Sequence, residues 1–101
     1  MKVINTPIVH TIDMDDTLAL WKPLNDSGPE YEINWKLVHE IRKAKMRGHY
    51  VIGWSAGHVD WVKQVVVGAG LESLFDLIMT KPQFMWDDKS PLEWTRICFI
   101  K

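Results

Sequence analysis

The run Ile8-Val9-His10-Thr11-Ile12-Asp13-Met14-Asp15-Asp16-Thr17 sets the tightest limit on what this chain can become. Its apolar, β-branched half reads as a buried strand that delivers Asp13, Asp15 and Thr17 at its carboxyl end. Open α/β sheets bind their ligands at that end. Two acids two residues apart there let one carboxylate attack or bind a metal while the other handles protons. Asp-x-Asp alone arises often by chance. More telling are the polar groups that accompany later apolar segments in order: Ser55 after VIGW, Lys81 before Pro82, and Asp87–Asp88 after FMW.

The rest of the chain alternates strand and helix signals. Residues 21–33 are punctuated by Pro23, Asn25, Asp26, Ser27, Gly28 and Pro29, and read as a loop or short hairpin over the strand end. Asn34 is placed to cap a helix carrying Trp35, Val38, Ile41 and Ala44 on one stripe, with Gly48 as its stop. HYVIGW (49–54) is the second strand. Residues 58–70 carry a helical stripe of Val59, Val62, Val65 and Ala69, although the Val65–Val67 run prefers strand. Helix is favoured, because a parallel sheet needs a crossover there. FDLIM (75–79) is a third strand and QFMW (83–86) a fourth. PLEWTRICFIK closes the chain as a short helix or an edge strand, and Cys98-Phe99-Ile100 tips it towards strand. The expected fold is one α/β domain over residues 1–101, a Rossmann-like, doubly wound parallel sheet.

Composition narrows the function. An apolar fraction of 47% with 25% charged residues is that of an ordinary soluble globular domain. The net charge of −1 gives no broad electrostatic case for nucleic acid or membrane. Lys36, Arg42, Lys43, Lys45 and Arg47 fall close together, but long cations usually occupy a solvated helix face. Cys98 is the single cysteine, which fits a reducing, cytoplasmic setting. Polar residues interrupt every apolar run near the N-terminus, so neither a signal peptide nor a membrane span is expected there.

In order and spacing, Asp13-Met14-Asp15-Asp16-Thr17, the strand-ending Ser55 of WSAG, Lys81 of TKP and the Asp87–Asp88 pair resemble the four motifs of the haloacid dehalogenase superfamily. The resemblance runs from residue 8 to residue 88. It is closest to small members without a cap domain, because no insertion is long enough to form one; phage-encoded hydrolases among them carry a similar WSAG segment. It implies that Asp13 is a nucleophile that takes up a phosphoryl group and that Asp15 is the general acid and base. Acid at the latter position suits phosphatase or phosphotransferase chemistry. Thr17 would fix the turn, with Ser55, Ala56 and Lys81 holding phosphate oxygens. The metal would be Mg2+, touching Asp13, the Asp15 carbonyl and Asp88, with Asp87 acting through water or by pairing with Lys81. The donors are all oxygens, as that ion prefers, and four converging carboxylates would repel one another without a cation.

The expected activity is therefore that of a phosphoric monoester hydrolase. Two rivals stay open. One is a non-catalytic or phospho-accepting regulatory module, since receiver domains combine acids, a hydroxyl and a lysine on a similar sheet. The other is a polynucleotide 3′-phosphatase, kept open by Trp21 and the basic cluster. With only residues 21–33 available as a lid, the substrate is expected to be large enough to cover the site itself, or a second subunit would supply the wall. Asp16 is expected to bond within its turn, His58 to be a surface or capping histidine, and His10 to belong to the core or its flank.

Overall fold

The computed structural model describes residues 7–22 and 30–98. The β-branched run forms β1 (Val9–Asp13), followed by a tight turn and the short strands β2 (Ala19–Trp21) and β3 (Tyr31–Ile33). Next come α1 (Trp35–Met46), β4 (Tyr50–Ser55), α2 (Val59–Gly68) and β5 (Leu77–Thr80), with single 3-10 turns at Glu72–Leu74 and Pro91–Glu93. β1, β4 and β5 make a parallel sheet in that order, and β2 pairs antiparallel with β3 as a hairpin.

Both helices start and stop where the sequence signals them. The Asn34 side chain accepts a hydrogen bond from Leu37 N–H, capping α1. Gly48, at φ +79°, takes the left-handed conformation just beyond the helix end. His58 caps α2 by accepting from Asp60 N–H through Nδ1 at 3.1 Å, the capping role expected of it. The valine-rich stretch is helical because Val62, Val65 and Val66 all bury against the sheet, which overrides their strand preference.

One cluster joins Ile12 and Val51 of the sheet to Leu37, Val38 and Ile41 of α1 and to Val62, Val65 and Val66 of α2. Both helices therefore pack on the same sheet face. Within β4, Val51, Gly53 and Ser55 face the helices and are buried, whereas Ile52 and Trp54 on the other face are half-buried. Gly53 permits the close approach: a Cβ there would stand 2.9 Å from the Phe75 ring and 3.4 Å from Val62. At the opposite end of the sheet, Lys45 Nζ lies 2.6 Å from Asp76 Oδ2, which also accepts from Val51 N–H at 2.7 Å. Those bonds, the Lys45 one foremost, hold the Asp76 carboxyl below its ordinary pKa. His10 is half-buried and stacks on His49, with Nε2 and Nδ1 2.9 Å apart; desolvation first, then the His49 charge, lowers its pKa.

One expectation is met in part and two change. The three-stranded parallel sheet with its two helices fits a Rossmann-like α/β fold, and the described residues place both helices on one face of it. The strand order never reverses direction from β1 to β4 to β5, so two right-handed crossovers put α1 and α2 on the same side. QFMW is not a strand: residues 81–87 have no regular structure, and Phe84 and Trp86 are 79% and 94% exposed. Pro82 on one side and the Asp87–Ser90 turn on the other leave too short a run to pair. The closing segment forms its 3-10 turn behind a Ser90 capping box, and Cys98 is not in a strand; Phe99 and Ile100 lie outside the described residues. Among the described residues no helix is long and apolar enough to cross a membrane.

Candidate functional site

The turn after β1 is built by its own alternation. Met14 and Leu18 are fully buried, so the residues between them are forced outward. Thr17 N–H and Ala19 N–H both donate to the Met14 carbonyl, at 3.1 and 2.9 Å, and Asp16 N–H donates to Ala19 at 2.8 Å. Asp16 sits at φ +55°, a left-handed conformation that Asp tolerates better than most residues. Its carboxylate accepts from Trp21 N–H at 3.3 Å, so it ties the turn to the end of β2 instead of bonding within the turn as expected. Asn34, 3% exposed, donates through Nδ2 to the Thr17 carbonyl at 3.0 Å and through its N–H to Leu18 at 2.8 Å, locking the turn to α1. The Thr17 hydroxyl points back to the Asp15 carbonyl at 3.5 Å, a long contact that adds little to this frame.

Asp13 ends β1 half-buried and Asp15 is exposed. Ser55 ends the neighbouring strand β4, and Lys81 follows β5 directly, its N–H donating to the Ser55 carbonyl at 2.8 Å. The three parallel strands thus bring Asp13, Ser55 and Lys81 to the same, carboxyl end of the sheet. Asp13, Thr17 and Lys81 also line a single cleft of about 1380 Å³ that follows the edge of β1 left unpaired among the described residues.

Other expected members are placed differently. Ser55 is 1% exposed, because strand alternation turns it towards the helices with Val51 and Gly53. Its Oγ accepts from Gly57 N–H at 3.1 Å, so that donor closes a turn within the protein. Ala56 is exposed beside it. Asp87 and Asp88 are exposed on the segment after Pro82. Hydrogen bonding to the Asp88 side chain, then to Lys89 N–H at 3.0 Å, holds the Asp87 carboxyl below its ordinary pKa. No group of three or more His, Cys, Asp or Glu side chains stands ready for a metal among the described residues. The acidic pair is therefore not gathered with Asp13 and Asp15.

Three aromatic rings complete the site and were not legible as a set. Trp21 of β2 stacks on Trp61 of α2, with centroids 5.4 Å apart and planes at 11°. Tyr31 of β3 meets both edge-on, at 5.5 and 5.3 Å. From this cluster the Trp21 indole N–H donates to Asp15 Oδ1 at 3.0 Å. A hairpin over the strand end was the one available signal, and its register, Trp21 opposite Tyr31, brings two of the rings together. The basic cluster on α1 is partly neutralised, since Lys43 pairs with Glu40 at 3.0 Å and Lys45 with Asp76.

Comparison with family models, curated proteins and solved structures returns no match to this chain.

Proposed function

We propose that the chain is a magnesium-dependent phosphatase-like hydrolase on a capless haloacid dehalogenase-type core, working through an aspartyl-phosphate. The observation that carries this reading is the position of Asp13. It ends a parallel strand beside a turn that presents Asp15, at the carboxyl end of the sheet shared with Ser55 and Lys81. Asp13 Oδ attacks phosphorus and the bond to the ester oxygen breaks. Asp15 supplies the proton that oxygen takes, then removes one from the water that opens the aspartyl-phosphate. Lys81 offsets charge on the transferred group from the cleft wall, and Thr17 and the Ala56 main chain frame it.

Of the proposed magnesium ligands, the Asp13 carboxylate and the Asp15 carbonyl suit a hard cation, while Asp87 and Asp88 stand apart from them. A bound cation there would screen the phosphate charge that otherwise repels Asp13. The separation of the acidic pair is what favours the second reading, a phospho-accepting or binding module in which Asp13 takes up a phosphoryl group without rapid turnover. A cytoplasmic setting and a large phosphorylated substrate, or a second subunit at the open cleft, belong to the first reading. A polynucleotide end stays within it as one such substrate.

A panel of small and macromolecular phosphate esters, assayed with and without magnesium, separates the readings. Asp13→Asn is expected to abolish turnover with the fold intact, and Asp15→Asn to slow it by about 10²–10⁴-fold. Full activity in either variant overturns the assignments. Stable labelling of Asp13 with negligible release supports the module.

A further inference from the structure

We propose that Trp21 is the positioning residue for Asp15, held in place by its stack on Trp61. This inference rests on the phosphatase reading and assigns a task to the aromatic cluster that the reading leaves idle. Asp15 projects from an exposed turn, where a carboxylate samples several rotamers. A general acid has to lie within about 2.6–3.2 Å of the proton it moves. The Trp21 indole N–H fixes one oxygen, Oδ1, at 3.0 Å and leaves Oδ2 for proton transfer.

The chemistry of that donor suits both halves of the reaction. An indole N–H only donates. Oδ1 accepts from it when the carboxylate is ionised, and still accepts as a carbonyl oxygen when the proton sits on Oδ2. The anchor therefore holds through the acid step and the base step alike, which a partner able to switch between donor and acceptor would not guarantee.

Trp21 is itself fixed from outside the turn. Trp61 lies in the first turn of α2, which begins four residues after the end of β4. The stack therefore references Asp15 to the strand end that carries Ser55. Tyr31 closes the third side of the ring cluster. Trp61 Nε1 is buried with no hydrogen-bond partner among the described residues, so the ring is present for its stacking face and not for its donor. Trp21 N–H to Asp16 Oδ1, at 3.3 Å, ties the same residue to the turn a second time.

The test uses the full chain. Trp21→Phe keeps a ring for the stack and removes only the donor. It is expected to lower kcat about ten- to a hundredfold, the usual cost of a misplaced catalytic group, with KM and the melting temperature nearly unchanged. In an Asp15→Asn background, Trp21→Phe is expected to cost nothing further. Trp61→Leu, which touches neither Asp15 nor substrate, is expected to reproduce part of the kcat loss by loosening Trp21. Wild-type kcat in Trp21→Phe, or a loss that simply multiplies that of Asp15→Asn, overturns this inference and leaves the phosphatase reading standing. A wild-type protein that turns over no phosphate ester overturns both.

Discussion

Residues 9–80 and 81–98 use similar apolar side chains to opposite ends. In the first region Ile12, Met14, Leu18, Val38, Val51, Val62, Val65 and Leu71 are buried in one core. In the second, Phe84, Met85, Trp86, Leu92, Trp94 and Ile97 all stand at least half exposed, and no residue is buried. Hydrophobicity alone does not separate them. The first region pairs its apolar residues with a period, 2 in strands and 3.6 in helices, and with caps that satisfy the main chain. The second is cut by Pro82, Pro91 and an aspartate-initiated turn before any period can establish itself.

The contrast extends to the candidate site. Main-chain and capping hydrogen bonds place most of the site in the first region: Met14, Ala19 and the Asn34 side chain hold the Asp13–Thr17 turn, and the β4–β5 ladder holds Ser55 opposite Thr80. Lys81 opens the second region still tied to β4 through its N–H, but beyond it Asp87 and Asp88 are organised, among the described residues, by each other and by Lys89.

Removing an apolar side chain from each region should divide them sharply. Leu18 is fully buried beneath the site turn, so Leu18→Ala is expected to cost about 2–5 kcal/mol by loss of burial and a residual cavity. Chemical denaturation measures it, and a loss under about 1 kcal/mol would remove the distinction. An intermediate effect is expected at Asp76, whose side chain is 29% exposed and accepts from Lys45 and from Val51 N–H. Asp76→Asn should cost about 1 kcal/mol. Its pH dependence has a definite sign. The folded pKa lies below the ordinary 3.8, so the stabilisation is fully present above that value and is lost as pH falls through the lowered folded pKa. The variant should therefore lose its deficit relative to wild type in strong acid and keep it near neutrality; a deficit unchanged in acid would locate its cause elsewhere. The smallest effect belongs to Trp86, 94% exposed: Trp86→Ala should change stability by less than about 0.5 kcal/mol. A larger loss would mean that the second region packs in solution after all.

Much of this frame was legible because it rests on local signals. β1, the Asn34 cap, the Gly48 stop, α2 and the third strand follow from neighbours in sequence, with boundaries shifted by one or two residues. The carboxyl end of the sheet that carries Asp13, Ser55 and Lys81 was legible too, since strand ends in a parallel sheet share a side. Long-range facts were not. Winding direction depends on strand order, which no segment of three or four apolar residues encodes, and QFMW carried composition without enough length to pair. The Trp21–Asp15 bond depends on hairpin register and on a helix forty residues away. The inward turn of Ser55 follows from the alternation Val51, Gly53, Ser55, whereas the motif order points to its hydroxyl alone.

On the proposed reading, Asp13 takes the phosphoryl group during turnover. Acid quenching of the protein during hydrolysis of a phosphate ester with magnesium, followed by mass analysis of its peptides, tests this directly. The expected result is a phosphoryl group on the peptide containing Asp13, absent in Asp13→Asn. Hydrolysis with no phosphorylated peptide, or with the group on a different residue, would contradict it.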